Sequence, residues 1–485
     1  MTKSILCSLL SLNALLSAQT TAKTADGESA TKDFTVTVHA GAQQEFGGLG
    51  VHVGSKVDYK KRRTPIMDES GPGPYGDVPI PVRKEITKLL FGPGKFNWVR
   101  IWNICPEQLK DLKEAGVSNY MLTGAGTLDN QPLAEKMAEQ TLDIIKQGYP
   151  IKAVSYANKA NQIWGVACRR PLEGKQRGLP EGLKMLRAEL DKKGLQAIPI
   201  VAPETCEWSP YREKGGGHDY KDKNPNKPTY GFVDGDNMRY MRAIADDPEA
   251  LKALGVFSTQ TYGQGVTLEE QAFAARHRKP YWVTMCWLNA KDRDPCFGPA
   301  TAGAILSDLN HGVSVWFYWQ QNYFWNLWKK DMKAAADIEL FPNYFFATAI
   351  TESFQIGAVF RRCSLNPPQP TADMHFNFER PHSMMSTTAR NPDGTWSVAL
   401  LNLSGAFIQM GACKFDEAKA QTLTVTVNIE ELKGAKSLVF KSRSVRGAAK
   451  EIAKGQDVMM KQGRMAVTVA PLEMIVLKSE APAEF

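Results

Sequence analysis

Residues 183–201 read LKMLRAELDKKGLQAIPIV, and this stretch indicates how much of the chain folds. It contains three leucines at helical spacing: Leu183, Leu186 and Leu190. Gly194 stands where a C-terminal glycine ends a helix. The apolar segment 197–201 follows almost at once and is typical of a buried strand. The stretch therefore predicts an amphipathic helix that leads directly into a strand.

The same alternation extends from about residue 46 to residue 346. A second amphipathic helix is predicted over residues 134–147, ending before Gly148. Eight strand candidates share short length and apolar character: 48–53, 98–102, 119–122, 153–156, 197–201, 256–260, 281–284 and 313–318. Repeated strand–helix units of this number predict an α/β fold with a closed (β/α)8 TIM barrel, whose loops at the strand C-termini carry function. A doubly wound open sheet is the alternative, but no glycine-rich phosphate loop follows the first strand.

The last part of the chain predicts a β-sandwich. Its strand candidates are separated by Gly, Asp and Asn turns: 396–403, 423–429, 438–441, 465–469 and 474–477. The alternating segment 34–38, near the start of the chain, is expected to complete the same sandwich. The predicted organisation is a signal peptide at 1–18, a flexible segment at 19–32, a sandwich strand at 33–45, the barrel at 46–346 and the β-sandwich at 347–482.

The N-terminus has the pattern of a secretory signal. Lys3 supplies a positive charge, residues 5–16 form an apolar run, and Leu16-Ser17-Ala18 is a small-residue cleavage site. We therefore expect a secreted or periplasmic protein without a membrane span, since no other apolar run approaches the necessary length.

Composition narrows the class of function. The chain has 485 residues and a formal net charge of +8, with Lys and Arg scattered among Asp and Glu, which argues against nucleic acid as a partner. No Cys or His spacing suggests a metal site, and no cofactor is expected. Export permits disulfides, with Cys286–Cys296 and Cys363–Cys413 as candidate pairs; buried free thiols are the equal alternative.

Four segments carry a resemblance to a known family. They are Phe46-Gly47-Gly48-Leu49-Gly50, Val99-Arg100-Ile101, residues 153–161 (AVSYANKAN) and residues 279–287 (KPYWVTMCW). The chain resembles the family 30 glycoside hydrolases, which are retaining enzymes with a (β/α)8 barrel and an attached β-sandwich. The resemblance implies that barrel strand four ends in Asn-Glu-Pro, with the acid/base, and strand seven in Trp-x-Thr-Glu, with the nucleophile.

This chain departs from the family at both catalytic positions, which are Lys159 and Met285. A retaining glycosidase needs two carboxyl groups about 5–5.5 Å apart, one to protonate the leaving oxygen and one to form a glycosyl ester. A thioether cannot form that ester. The charge of Lys159 opposes the cation that develops on the sugar ring unless burial lowers its pKa. The sequence therefore predicts a glycoside-hydrolase-like pseudoenzyme with no catalytic residues of the standard mechanism.

Other side chains near the predicted barrel mouth suit a carbohydrate. Candidates for hydrogen bonds to hydroxyls are Arg100, Asn158, Tyr262 and Gln320 or Gln321. Candidate platforms for sugar rings are Trp164, Trp208, Trp287, Trp319 and Trp325, whereas Trp98, Trp282 and Trp316 are expected in the core. Gln260 stands where the resemblance implies a histidine. His52, at the end of the first strand, is expected to be structural.

A substitute carboxylate is the alternative. Glu204 and Glu207 follow the fifth strand at the functional end of the barrel, so an active glycosidase on a β-linked polysaccharide with a non-standard mechanism is conceivable. A salt bridge from Glu204 to Arg100 or Lys159 is the simpler interpretation. Asp234 and Asp236 are weak candidates for a cation site. A third interpretation is a protein-interaction scaffold in which the old cleft is filled.

Overall fold

The computed structural model describes residues 32–53, 78–101, 106–124, 131–158, 160, 178–207, 237–261, 265–286, 294–319, 324–325, 332–368, 383–409 and 412–485. Strand β1 (Lys32–Val38) comes first and belongs to the C-terminal region. The next eight described strands close into a parallel barrel in chain order: β2 (Gly48–Val53), β3 (Trp98–Ile101), β4 (Asn119–Thr123), β5 (Ile151–Ser155), β6 (Ile200–Glu207), β7 (Leu254–Thr261), β8 (Tyr281–Cys286) and β9 (Val313–Tyr318).

The predicted TIM barrel is confirmed, and the doubly wound alternative is wrong because β9 pairs with β2 and leaves no open edge. Barrel strands one to eight are therefore β2 to β9. Eight alternate residues fill the interior as an apolar plug: Trp98, Met121, Ala153, Val201, Val256, Trp282, Val315 and Phe317. Gly50 leaves the room they need, since a Cβ there would lie 2.5 Å from the Phe317 ring.

The described helices pack outside the barrel: α1 (Ile80–Leu90), α2 (Pro106–Glu114), α3 (Gln131–Lys146), α4 (Leu179–Lys192), α5 (Asn237–Ala245), α6 (Pro248–Ala253), α7 (Leu268–Arg276), α8 (Phe297–Asn310) and α9 (Pro342–Ser353). The leucine spacing that predicted α4 is confirmed, because its three leucines are fully buried. Gly194 follows this helix with φ +75°, the left-handed conformation that glycine adopts at helix ends.

The C-terminal region forms antiparallel sheets from these strands: β10 (Val359–Arg361), β11 (Cys363–Asn366), β12 (Met384–Arg390), β13 (Trp396–Asn402), β14 (Ala406–Gln409), β15 (Ala412–Phe415), β16 (Leu423–Ile429), β17 (Leu438–Arg446), β18 (Ala453–Lys454), β19 (Val458–Met460), β20 (Arg464–Val469) and β21 (Glu473–Ser479). One sheet has the order β11-β1-β16-β20, and the other has the order β10-β12-β13-β21-β17-β18, with β19 paired to β17. Strand β1 runs parallel to β16, so the N-terminal strand completes the sandwich as predicted.

Helix α8 joins the two regions. All of its residues are buried, which is the environment of a helix that is apolar on every side. Thr387 of β12 donates a hydrogen bond to the Leu306 carbonyl at 2.6 Å. Asn310 accepts one from the Cys363 backbone at 2.9 Å. The sandwich is thus fixed to the outside of the barrel through this helix.

The candidate disulfides are wrong for the described cysteines. Cys286, Cys296 and Cys363 are buried free thiols. Cys286 lies on barrel strand β8 and Cys296 precedes α8, while Cys363 lies on β11. Burial raises the pKa of Cys363 to about 11, so this thiol is inert at neutral pH. Among the described helices, none is both long and apolar enough to cross a membrane.

Candidate functional site at the barrel mouth

A polar layer lies directly above the apolar plug, at the C-terminal ends of the strands. Side chains two positions apart in a strand point to the same face. In five barrel strands, the residue that follows an inward-facing apolar residue or glycine by two positions is polar. These polar residues are His52, Arg100, Thr123, Ser155 and Ser258. All five are buried. The barrel interior therefore changes from apolar to polar at the level where TIM barrels carry their sites.

Glu204 joins this polar layer through a β-bulge. In the pairing of β6 with β7, Pro203 is opposite Ser258 and Thr205 is opposite Thr259, so Glu204 is an extra residue. Its φ is +53°, an unusual value for a residue other than glycine. Its backbone N–H donates to the Ser258 hydroxyl at 3.2 Å. Bulges redirect side chains beside functional sites, and this one turns Glu204 into the barrel.

Arg100 and Glu204 form a fully buried ion pair. The Nη2 atom of Arg100 lies 3.2 Å from each carboxylate oxygen, and both side chains are 0% exposed. Ser155 also donates to this carboxylate, and Arg100 Nε donates to the Thr123 hydroxyl at 2.9 Å. The salt bridge that the sequence left open for Glu204 is therefore formed with Arg100. This pairing weakens the case for Glu204 as a free catalytic acid.

Asn158 and Gln260 extend the network toward the outside. The Asn158 Oδ1 atom accepts hydrogen bonds from Arg100 Nη2 at 3.1 Å and from Gln260 Nε2 at 2.6 Å. Within the group formed by Arg100, Glu204, Asn158 and Gln260, two buried atoms have no partner among the described residues: Arg100 Nη1, a donor, and Gln260 Oε1, an acceptor. Buried polar atoms are normally satisfied, so these two are candidates for contact with water or a ligand.

Met285 occupies the end of barrel strand seven. It is in register with Gln260 across the pairing of β7 with β8, after a bulge at Thr259. Residues in register in a parallel pair lie on the same face. The Met285 side chain is fully buried and therefore lies next to Gln260 on the inner face. The Met285 side chain ends in a thioether, which has neither a nucleophilic oxygen nor a negative charge.

His52 and Trp319 stack at the mouth, at the ends of the two strands that lie between β8, which carries Met285, and β3, which carries Arg100. Their ring centroids are 5.0 Å apart and their planes differ by 25°. Burial, reinforced by the positive charge of Arg100, lowers the pKa of His52 to about 3, so the imidazole is neutral at ordinary pH. Trp319 is half-buried, whereas Trp325 is fully buried. The sequence-based prediction of Trp325 as a sugar platform is wrong because this indole packs in the core.

The core assignment of three other tryptophans is confirmed: Trp98, Trp282 and Trp316. Several predicted site residues lie outside the described residues, and for them the sequence-based roles stay predictions: Lys159, Trp164, Trp208, Tyr262, Trp287, Gln320, Gln321, Asp234 and Asp236. Glu207 ends β6, but its side chain is also outside the description.

Sequence reasoning missed Thr123, Ser155 and Ser258, which support Arg100 and Glu204. Each of them follows an inward-facing residue of the apolar plug by two positions. A change from apolar to polar at the last inward position of several strands was the available signal. Spacing alone did not reveal the bulge that brings Glu204 inward, because a bulge adds one residue without changing composition.

A second buried network links the last residue of β7 to the N-terminus of α7 through Asp308 of α8. Asp308 accepts hydrogen bonds from the Val266 backbone at 2.8 Å, from Trp316 Nε1 at 2.9 Å and from the Thr261 hydroxyl at 3.4 Å. Burial raises the pKa of Asp308 to about 7. Burial also raises the pKa of Glu270, although Asn237 donates to it at 3.0 Å. This network lies behind the strands, away from the barrel interior.

The chain was compared with known proteins. No protein-family model matches it, and no curated protein matches it. Solved structures share its fold at low identity. A GH30 endoxylanase from Clostridium papyrosolvens C71 is 12% identical, with a TM-score of 0.58 and coverage of 93% of this chain and 100% of that chain. A conserved exported protein from Bacteroides fragilis is 11% identical, with a TM-score of 0.56 and coverage of 92% of this chain and 100% of that chain.

An endo-β1,6-glucanase is also similar, with 12% identity, a TM-score of 0.54 and coverage of 92% of this chain and 93% of that chain. At these identities the comparisons establish the fold. The protein has a glycoside-hydrolase-like fold that resembles the family 30 enzymes, over nearly its whole length.

Proposed function

We propose that this protein is an exported, glycoside-hydrolase-like protein that binds a β-linked oligo- or polysaccharide at the barrel mouth without hydrolysing it by the retaining mechanism. The observation that carries the proposal is Met285, buried on the inner face at the end of barrel strand seven. A retaining reaction requires a carboxylate there, and Lys159 replaces the second one in the sequence. Each missing carboxylate removes several kcal/mol of transition-state stabilisation.

Three features support carbohydrate as the ligand. The first is the fold, which resembles a xylanase and a β1,6-glucanase. The second is Trp319, a half-buried indole at the mouth, since indole is a side-chain group that packs well on the apolar face of a sugar ring. The third is the pair of unsatisfied atoms, Arg100 Nη1 and Gln260 Oε1, which match the acceptor and donor capacity of a hydroxyl.

Export is supported by the N-terminal pattern of charge, apolar run and cleavage site in residues 1–18. The test is N-terminal sequencing of the protein recovered from the medium or periplasm of expressing cells. A mature N-terminus just after Ala18 is expected. Protein that stays in the cytoplasm with Met1 or Thr2 at its start contradicts export.

The binding proposal is tested with the purified mature chain. Isothermal titration with xylohexaose and with a β-1,6-linked glucohexaose, and pull-down on insoluble xylan and β-1,6-glucan, are expected to show binding to at least one of them. Aryl β-glycosides and the same polysaccharides are expected to stay uncleaved. Binding to none of these carbohydrates overturns the proposed ligand, and hydrolysis by the purified chain overturns the proposed inactivity.

A filled cleft is the second candidate, and burial favours it. Arg100, Glu204, Gln260 and Met285 are all 0% exposed, so a ligand in contact with them needs the overlying chain to move. In this interpretation the barrel is an interaction scaffold. Hydrogen exchange distinguishes the two: amides of residues 98–101 and 281–286 that are slowed further by bound oligosaccharide support the cleft, and amides that do not respond support the scaffold.

The alternative enzyme uses Glu204 or Glu207. Glu204 already neutralises Arg100 and accepts from Ser155, so its carboxylate is committed to structure. The test compares Glu204→Gln and Glu207→Gln in the same assays. Hydrolysis by the parent chain that disappears in either variant, while circular dichroism shows that the variant is folded, establishes this alternative; absence of hydrolysis from the parent removes it.

A further inference from the structure

The bulge at Glu204 is held from both faces of the barrel wall. Thr205 is in register with Thr259, whose strand neighbour Ser258 belongs to the polar layer of the interior. Neighbouring residues of a strand point to opposite faces, so Thr205 points outward, toward the helices. Its hydroxyl donates a hydrogen bond of 2.5 Å to Oδ1 of Asn237, the first residue of α5.

Asn237 is in turn oriented by a carboxyl group of α7. Its Nδ2 atom donates to Glu270 Oε1 at 3.0 Å and to the Tyr281 hydroxyl at 2.7 Å. The second carboxyl oxygen, Oε2, belongs to the capping box of α7 and accepts from the Thr267 backbone N–H at 2.8 Å. These bonds fix the nitrogen end of the amide toward Glu270, so its oxygen end faces Thr205. The N-terminus of α7 is thereby linked to the bulge.

The outer bond and the inner ion pair oppose the same movement. Thr205 and Asn237 are buried, so a lost hydrogen bond between them leaves a polar atom without water. A shift of register by one residue reverses the faces to which side chains point. If the bulge moved one residue along β6, Glu204 would pair with Thr259 and point outward. That shift would break the bond to Asn237 as well as the contact of Glu204 with Arg100.

We infer that Asn237 is a positioning residue, which holds the Glu204 bulge in register and thereby sets the geometry of the mouth floor. The mouth floor is the linked group of Arg100, Glu204, Asn158 and Gln260. The inference deepens the proposed function and rests on it for one point, that a carbohydrate binds on this floor. Asn237 lies outside the barrel wall and does not touch the ligand. Its contribution is to fix Glu204, and through it Arg100, before binding, which lowers the conformational cost of association.

Hydrogen exchange of the purified mature chain tests the register without a ligand. Thr205→Val removes the hydroxyl and keeps the branched shape, and is expected to speed exchange of the amides of residues 204–206 about fivefold, the scale of one hydrogen bond. Thr205→Ser keeps the hydroxyl and is expected to stay within about twofold of the parent chain. Exchange of residues 396–402 in the sandwich is measured in the same samples, because faster exchange there as well reports a loss of global stability.

Thr141→Val is the matched control. Thr141 is also fully buried, and its hydroxyl donates to the Met137 carbonyl at 2.7 Å within α3. This variant loses a comparable hydrogen bond away from the bulge. It is expected to leave the exchange of residues 204–206 and the affinity for oligosaccharide unchanged.

Binding of xylohexaose or the β-1,6-linked glucohexaose gives the second readout. Thr205→Val and Asn237→Leu are each expected to weaken binding about three- to tenfold, while Thr205→Ser binds as the parent chain does. In the Asn237→Leu background, Thr205→Val is expected to have no further effect, because the partner of the hydroxyl is already gone. If either variant does not fold, Thr205→Ala or Asn237→Ala is measured in its place under the same criteria.

The two readouts separate this inference from the proposed function. Parent-like exchange at residues 204–206 in folded Thr205→Val overturns the inference, whatever the chain binds. Faster exchange with parent-like affinity overturns the positioning role in binding and leaves the proposed function standing. A parent chain that binds neither oligosaccharide overturns the proposed function, while the exchange measurement still decides whether Asn237 holds the register.

Discussion

Arg100 and Glu204 are joined by two contacts of 3.2 Å inside the barrel, where neither side chain is exposed to solvent. The bulge turns Glu204 inward and so places one negative charge in the polar layer of the barrel. Among the described residues of that layer, the cation is Arg100. The family resemblance implies two glutamates at this end of the barrel. In this chain, Glu204 on barrel strand five supplies the counter-charge of Arg100.

Removal of either partner of this pair is expected to be strongly destabilising. Glu204→Gln leaves a buried guanidinium without its counter-ion, which costs about 3–5 kcal/mol. Arg100→Met leaves the carboxylate in the same situation. The double variant is expected to lose less than the sum of the two, because neither charge remains. Urea denaturation of the four proteins measures this coupling.

Glu189→Gln is the control for that cycle. Glu189 is also buried, but its partner Lys192 has a largely exposed side chain, so its removal is expected to cost under about 1 kcal/mol. Strict additivity of the two barrel substitutions contradicts an energetic link between Arg100 and Glu204.

Packing of the apolar plug gives a second prediction. A Cβ atom on Gly50 would lie 2.5 Å from the Phe317 ring and 2.7 Å from Trp98 Cβ. Gly50→Ala is therefore expected to lower the free energy of unfolding by about 1–3 kcal/mol through overpacking. Gly434→Ala, whose new Cβ lies 3.7 Å from Phe485, is the control and is expected to change stability little. Equal melting temperatures for the two variants contradict the prediction.

The barrel was predictable from sequence because its strands are short apolar runs separated by amphipathic helices. The prediction was least accurate at β6, where it ended at Val201 and the strand continues to Glu207. The additional residues include Pro203, Glu204 and Thr205, which have low strand propensity or lie in the bulge. Their position is decided by pairing with β7 and by the ion pair with Arg100, neither of which has a local signal.

Strands β10 to β12 were missed for a different reason. The sequence of β12, MMSTTAR, is buried at six of its seven positions, but Ser386, Thr387 and Thr388 interrupt it. It therefore has neither the alternation of a half-exposed strand nor the continuous apolar run of a buried one. Helix α8 covers one face of this strand, as the bond from Thr387 to the Leu306 carbonyl indicates. The place of Met285 near the end of barrel strand seven was predictable because it directly follows the apolar run 281–284. The polar network beside it depends on contacts between distant strands.

Asp308 gives a pH prediction. Its pKa is about 7 in the native protein and has an ordinary value of 3.8 when exposed. Between these values the native state binds a proton that the unfolded state has lost. The contribution of Asp308 to stability is therefore greatest at low pH and is lost as pH rises toward 7, by up to about 1.4 kcal/mol per pH unit.

The check compares the parent chain with Asp308→Asn by urea denaturation at pH 5, 6, 7 and 8. The variant cannot ionise, so the stability of the parent relative to the variant is expected to fall from pH 5 to pH 7 and to level off above. Titrating groups that do not interact with Asp308 are present in both proteins and cancel. The charge of Glu270 also raises the pKa of Asp308, so the comparison is repeated in a Glu270→Gln background. A difference that stays constant with pH contradicts the assignment.

The proposed function predicts that carboxylates introduced at positions 159 and 285 create hydrolytic activity. Met285→Glu alone is expected to give at most very slow turnover of an aryl β-glycoside, since the aryl group can leave without protonation but no base activates water to cleave the glycosyl ester. Lys159→Glu alone is expected to be equally inactive. The double variant is expected to hydrolyse the substrate at least about 100-fold faster than the matched double glutamine variant, because each carboxylate lowers the barrier by several kcal/mol.

Trapping of a glycosyl ester on residue 285 with a 2-fluoroglycoside identifies the mechanism. Since Met285 is fully buried, the new acid is also expected to lower stability at neutral pH relative to the glutamine control. A folded double variant without activity would show that the remaining barrel mouth no longer accommodates the reaction.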